Sequence, residues 1–257
     1  MELQGCAAIV TGGSGGLGQR ICRALAQRGV NVVVNYAASE TKAMSVAADL
    51  SKLGARAVAV GADVTDPAAV AKMVEQTKAE FGRVDILVND AAFNKTVEYP
   101  DLDGLTHELW NHIITTNLYG PFNCIKAVAP LMKARGRGRI VNISSAAGIY
   151  PRGSSIAYAV SKAALNHLTT CMAVALAPAV TVNCIAPGLM MGTRMTANRP
   201  PEYVARAADF TVLRRAVNKD DVAEQVMLFC RSDSVTGQTI VMDCGRFQAG
   251  PGSGGNK

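Results

Sequence analysis

Hydrophobic positions along this chain fall into two alternating textures. Short, nearly continuous apolar runs recur at Ala7 to Thr11, Asn31 to Tyr36, Ala57 to Gly61, Asp85 to Asn89, Arg139 to Ser144, Val180 to Ile185 and Thr239 to Met242. Runs of that length, rich in Val, Ile and Ala, read as strands covered on both faces. Between them the apolar positions spread to helical spacing, as at Val70, Val74, Thr77 and Phe81, and again at Val222, Val226, Phe229 and Cys230. Each of these is a stripe that faces a core. Strand followed by helix, repeated along the chain, predicts an α/β class fold: one doubly wound domain over residues 1–249, with a seven-stranded parallel sheet and helices on both faces. The Gly-rich end, residues 250–257, is expected to be a flexible tail.

Composition supports one domain, since 257 residues with 49% hydrophobic can bury a full core. The formal charge of +6 comes from 26 Lys and Arg against 20 Asp and Glu. Those basic residues are scattered, and the densest group, Arg135, Arg137 and Arg139, reads as a solvated turn leading into a strand, so no nucleic-acid surface is expected. The seven cysteines form no CxxC and the three histidines, His107, His112 and His167, are never four apart. Neither a disulfide framework nor a metal site is indicated, and the thiols fit a reducing compartment. With the first strand starting at Ala7, no room is left ahead of it for a signal peptide, and a cytoplasmic location is expected. Residues 163–193 carry no Asp, Glu, Lys or Arg, but Asn166, Thr169, Thr170, Pro178, Asn183 and Pro187 interrupt them. This stretch therefore reads as a helix, a break at Pro178 and a buried strand, not as a membrane span.

Candidate chemistry begins directly after the first strand, at Thr11-Gly12-Gly13-Ser14-Gly15-Gly16-Leu17-Gly18. Glycines let a backbone turn sharply against a pyrophosphate, and the helix that follows offers free N–H groups and a positive dipole end. At the end of the second strand an acid would bind the adenine ribose 2′-hydroxyl and repel a 2′-phosphate. Here the residues are Asn35-Tyr36-Ala37-Ala38-Ser39, with no acid before Glu40. That favours NADP(H), with NAD(H) the alternative, although no Arg stands in the turn.

Tyr158 and Lys162 lie four apart in a predicted helix and so share a face. A cation beside a phenol favours the phenolate, which would let Tyr158 exchange a proton with a substrate oxygen. Ser144 and Ser145 close the fifth strand, at the carboxyl edge where doubly wound sheets gather their ligands. Of the two, Ser145 is the candidate to hydrogen-bond the substrate oxygen. Asn117 falls within a long helical segment.

Together these segments resemble the short-chain dehydrogenase/reductase family, a Rossmann-like fold, over residues 5–248. The carriers are TGxxxGxG at Thr11 to Gly18, Asp63-Val64, Asn89-Asp90-Ala91-Ala92, Asn117, Ser145, Tyr158, Lys162 and Pro187-Gly188, all in family order. The resemblance implies a catalytic tetrad of Asn117, Ser145, Tyr158 and Lys162. Tyr158 would be the acid/base, Ser145 would orient substrate, Lys162 would also bind the nicotinamide ribose, and Asn117 would hold a relay water. Cofactor contacts would come from Gly12, Ser14, Gly16, Leu17, Gly18, Asn35, Tyr36, Ser39, Asp63, Val64, Asn89, Ala91, Tyr158, Lys162, Pro187, Gly188 and Thr193. Two positions depart from the family pattern: Asp90-Ala91-Ala92 stands in place of Asn-Ala-Gly, and Cys244 in place of a glycine. Family members are commonly dimers or tetramers, and the uncharged helix after Lys162 gives a separate reason to expect a homo-oligomer.

The segment from Met190 to Arg215 occupies the family's lid position and combines Met190, Met191, Met195, Tyr203, Phe210 and Leu213 with Arg194, Arg199, Arg206, Arg214 and Arg215. It suits a hydrophobic small-molecule carbonyl or alcohol. The leading expectation is an NADP(H)-dependent ketone reductase or alcohol dehydrogenase, followed by a reductase of 3-oxoacyl thioesters carried on acyl carrier protein or coenzyme A. A non-catalytic nucleotide-binding sensor is the third.

Overall fold

Each apolar run becomes a strand of one sheet: β1 (Ala7–Thr11), β2 (Asn31–Tyr36), β3 (Ala57–Gly61), β4 (Ile86–Asn89), β5 (Gly138–Ile143), β6 (Val180–Pro187) and β7 (Thr239–Met242). Helices fully within the described residues include α1 (Gly18–Ala26), α2 (Glu40–Ser51), α3 (Pro67–Phe81), α4 (His107–Ile114), α5 (Gly120–Ala134), α6 (Ile156–Leu176) and α7 (Lys219–Arg231). This computed structural model describes residues 1–193, Thr196, Glu202 and residues 207–246. The tail at 250–257 and the lid residues Arg194, Met195, Arg199, Tyr203 and Arg206 lie outside the described residues.

The sheet order is β3-β2-β1-β4-β5-β6-β7, and all neighbours are parallel. The chain therefore winds outward from β1 to β3, then returns to start again at β4 on the other side. The crevice at this reversal, above the carboxyl ends of β1 and β4, is where such a sheet takes ligands. Alternate residues of each strand feed two cores: Val10, Val32, Val34, Ile86 and Val88 pack with Ile21 and Leu25 of α1 and Val222, Val226 and Phe229 of α7. Ile9, Val33 and Leu87 face the opposite way, against Val70 and Met73 of α3 and Ile125 and Val128 of α5.

Local signals set the helix ends. Asp66 accepts from the Ala68 N–H at the start of α3, Pro67 follows it, and the helix closes on Gly82. Ser155 accepts from the Tyr158 N–H and so fixes where α6 begins. The charge-free stretch resolves as α6, which ends at Leu176 just before Pro178, followed by β6. No helix among the described residues is long and apolar enough to cross a membrane. The inner side of α6 is buried as expected, but its outer side, with Val160, His167, Cys171 and Val174, is exposed in the single chain.

Candidate active site

Four polar groups close the carboxyl edge of the sheet. Thr11, at the end of β1, accepts the N–H groups of Asp90 and Ala91, both at 3.1 Å, and so ties the turn after β4 to the glycine loop. Asn35 is buried: its Oδ1 accepts from Gly12 N–H at 3.3 Å, and its Nδ2 donates to the carbonyls of Val60 at 3.2 Å and Ala62 at 3.0 Å. This side chain thus clamps β2, β3 and the loop together. Asn89 likewise donates to Asn142 Oδ1 at 2.8 Å, within a buried chain that continues from Asn142 to Thr169.

The glycine loop is built for close approach. A Cβ on Gly16 would lie 2.3 Å from the Gly192 carbonyl, and one on Gly18 would lie 2.5 Å from the Gly12 carbonyl. Residues Gly192 and Thr193 therefore lie over the loop, joined to Thr196 through its hydroxyl. Helix α1 starts here with no acidic residue in its first turn and no side-chain cap, leaving its N-terminus suited to an anion. After β3, Asp63 is exposed and accepts from Thr65, and Val64 is buried beneath Gly120. Ser39 precedes α2 without capping it, and the Tyr36 hydroxyl bonds to Glu40, whose carboxylate with burial pushes the phenol up. The sheet's far side contributes Pro187, last residue of β6, and Gly188, whose N–H donates to the Met242 carbonyl at 2.8 Å.

The catalytic candidates converge. Ser145 and Tyr158 hydrogen-bond through their side chains. Ser144 instead donates to the Lys162 carbonyl at 3.0 Å, so of the paired serines it is Ser145 that reaches the phenol. Tyr158 is 5% exposed and Lys162 2% exposed. Lys162 Nζ donates to the Ile143 carbonyl at 2.9 Å and stands 5.8 Å from the centre of the Tyr158 ring. Asn117 sits in a π-helical turn, Thr115–Tyr119, between α4 and α5. Its side chain clamps both backbone groups of Phe93 (2.8 and 2.9 Å) and donates to Ser161 Oγ at 3.0 Å. Ser161 is thus a structural part of the site that spacing alone does not single out, a short polar residue whose partner Asn117 lies far off in sequence.

Electrostatics correct one expectation. Lys162 was expected to draw the Tyr158 proton off, yet burial pushes the phenol up to about 12, Asp90 adds to the rise, and only the Ser145 hydrogen bond opposes them. Lys162, whose ammonium is turned to the Ile143 carbonyl and whose own pKa burial brings down to about 8, does not offset that desolvation. Tyr158 therefore holds its proton firmly. On the other side of the phenol, Phe93, Leu109 and Trp110 pack against a small apolar cluster of Ile113, Ala147, Ala157 and Tyr158.

Residues 6–203 match the family model described as short chain dehydrogenase. A protein named for a ketoacyl reductase of the granaticin polyketide synthase in Streptomyces violaceoruber is 38% identical over 242 residues, covering 93% of this chain and 94% of that one. A 3-oxoacyl-[acyl-carrier-protein] reductase of Synechocystis sp. is 37% identical over 242 residues, covering 93% and 95%. Among solved structures, a short chain dehydrogenase from Burkholderia cenocepacia in complex with NADP superposes with a TM-score of 0.88 at 32% identity, covering 96% of this chain and 99% of that one.

Proposed function

Because this chain belongs to the short-chain dehydrogenase/reductase family and is an NAD(P)-dependent oxidoreductase, we propose that it reduces a ketone to an alcohol with NADPH, the ketone being a 3-oxoacyl group held as a thioester. The Ser145–Tyr158 hydrogen bond beside buried Lys162 carries the reading of the reaction. Names of the relatives, ketoacyl and 3-oxoacyl-[acyl-carrier-protein] reductases, move the thioester ahead of a free ketone.

The residues present fit a dinucleotide. The loop Gly12 to Gly18 has no room for Cβ atoms where it folds on itself, α1 has no acid in its first turn, and β2 ends without an acid before Glu40. Gly16, Leu17 and Gly18 would hold the pyrophosphate, Asp63 and Val64 the adenine, and Tyr36 and Ser39 the region of the 2′-phosphate. Ala91, Tyr158 and Lys162 would meet the nicotinamide ribose, with Pro187, Gly188 and Thr193 bordering the ring. When bound, the cofactor supplies the hydride.

Tyr158 gives its proton to the carbonyl oxygen as that oxygen becomes an alkoxide. A phenol held near 12 is fully protonated at neutral pH, so the donor form is ready, and an alkoxide is the stronger base. Ser145 orients the same oxygen and stabilises the phenolate left behind. Lys162, kept in place by Ile143, returns positive charge to that phenolate once it forms. We further infer that two or more copies assemble through the uncharged outer face of α6, where Val160 is 42% and Val174 78% exposed.

A substrate panel tests the reading: oxidation of NADPH is followed by absorbance with simple ketones and with a 3-oxoacyl thioester of coenzyme A. Faster turnover of the thioester is expected. Turnover confined to simple ketones would restore the free carbonyl as substrate, and turnover with NADH alone would overturn the cofactor assignment.

A further inference from the structure

One carboxyl group in the cleft takes no part in the chemistry above. Asp90 follows β4, and its N–H is pinned to Thr11 Oγ1 at 3.1 Å. Its side chain turns toward the glycine loop, where it accepts the N–H of Gly18, first residue of α1. Oδ2 lies so near that a Cβ on Gly18 would come within 3.1 Å of it. The ionisable groups that face it are Lys162 and Tyr158 from α6 and Cys22 from α1. Lys162 points its ammonium at the Ile143 carbonyl, so it acts on Asp90 through space and not as a contact ion pair.

This is an unusual place for an acid. The loop and the N-terminus of α1 are otherwise free of negative side chains, as an anion-binding turn should be. A carboxylate there occupies an amide of the same helix end and adds its charge to that of any pyrophosphate bound on the loop, inside a partly desolvated cleft where like charges repel strongly. The asparagine usual in the family at this position could accept the same Gly18 N–H with no charge at all.

We propose that Asp90 couples dinucleotide binding to the uptake of one proton: the protein holds the dinucleotide tightly while Asp90 is protonated and weakly once it is ionised. Burial already pushes this carboxyl up to about 7, against the pull of Lys162 and of the Gly18 N–H. A bound pyrophosphate adds negative charge and moves it further in the same direction. Asp90 is thus a positioning residue for the loop whose charge sets how affinity varies with pH. The proposal rests on the dinucleotide reading given above.

Binding of NADPH, read from its fluorescence, separates the two. The Kd is measured for the wild-type protein and for Asp90→Asn from about pH 5.5 to about pH 8.5. Titration of the nucleotide's own phosphate is common to both proteins and cancels in their ratio. Near the acid end the two should bind alike. Toward the alkaline end wild-type affinity should fall by about tenfold relative to Asp90→Asn, the limit for one proton per pH unit above the carboxyl's pKa being tenfold. In the Lys162→Met background Asp90 loses its facing cation, so the pH at which affinity falls should move up. Parallel curves for wild type and Asp90→Asn would overturn the proposal and leave dinucleotide binding intact. Failure of both proteins to bind NADPH or NADH at any pH would overturn the cofactor reading itself. Should Asp90→Asn not fold, calorimetry of NADPH binding to the Lys162→Met protein in two buffers of different ionisation enthalpy counts protons directly. Uptake is expected there at about pH 8 and above, where an Asp90 without its facing cation begins to ionise in the free protein, and none at any pH would sink the idea.

Discussion

At the amino ends of the central strands Asp85 lies fully buried with both carboxylate oxygens on Arg83, whereas at the carboxyl ends Asp90 lies half-buried with the facing cation spent on a backbone carbonyl. Asp85 accepts from Arg83 at 2.5 and 2.7 Å and from the Ala7 N–H at 2.9 Å, and Arg135 stands 3.6 Å away. Buried Arg139, on the same edge, donates to Asp233 and to the Cys230 carbonyl. Every buried charge there has a fitted opposite. On the carboxyl edge burial instead holds three groups away from their ordinary values: Tyr158 up to about 12, Lys162 down to about 8 and Asp90 up to about 7. Charges that geometry satisfies hold a fold together, and those left in tension are available for chemistry.

Breaking each edge should therefore produce a different loss. Tyr158→Phe removes the proton donor and should cut turnover by about a thousandfold or more, with NADPH affinity and thermal midpoint nearly unchanged. Nicotinamide absorbance, fluorescence titration and a melting curve read the three quantities. Asp85→Ala should do the reverse. It strands Arg83 and the Ala7 N–H, at a cost of about 3–5 kcal/mol, and should lower the melting midpoint by about 10 °C while the folded fraction keeps its specific activity. A large fall in stability for Tyr158→Phe, or in specific activity for Asp85→Ala, would erase the contrast.

The two edges were also unequally legible. Strand positions could be read to within about two residues, because a buried parallel strand writes its whole environment into a short apolar run. Ser145, Tyr158 and Lys162 were legible for a related reason: a helix spacing and a strand end place them on one edge. Asn35 stands at the strand end where a cofactor contact is expected, but its structural role is not legible there. Its hydrogen-bond partners, Gly12, Val60 and Ala62, come from the glycine loop and the end of β3, two segments that only the folded register of β2 against β1 and β3 brings together. The Tyr158 pKa was misjudged for a different reason. Spacing reveals that a cation is near, but not how much water both groups lose.

Paired serines sharpen the contrast within the carboxyl edge itself. Ser145 hydrogen-bonds the phenol, and its removal should lower turnover by about a hundredfold, the scale of losing one hydrogen bond made to a developing oxyanion. That bond opposes the upward shift of Tyr158, so Ser145→Ala should also move the alcohol-oxidising activity, which needs the phenolate, to higher pH. Ser144→Ala, one residue away, loses only a bond to the Lys162 carbonyl. It should cost about 1 kcal/mol of stability and change turnover by no more than about twofold. Equal kinetic effects for the two serines would mean that the strand end acts as a whole and that no single hydroxyl is selected.

An effect read in stability alone concerns Asp90 in the absence of any ligand. Its pKa in the folded chain, about 7, lies above the ordinary 3.8, so between these values the folded state binds the proton that the unfolded chain has already lost. Stability from this group is then fully present below the unfolded pKa and declines as pH rises through the folded one. Wild-type protein should lose about 1–2 kcal/mol relative to Asp90→Asn between about pH 4 and about pH 7, less than the full shift would allow because the side chain is only half-buried. Urea unfolding of both proteins across that interval measures the difference directly. A flat difference would mean that Asp90 ionises as readily in the folded chain as in the unfolded one, and the carboxyl edge would then store less electrostatic strain than its geometry implies. A difference of opposite sign would place Asp90 with Asp85, as a carboxylate that the fold has paired.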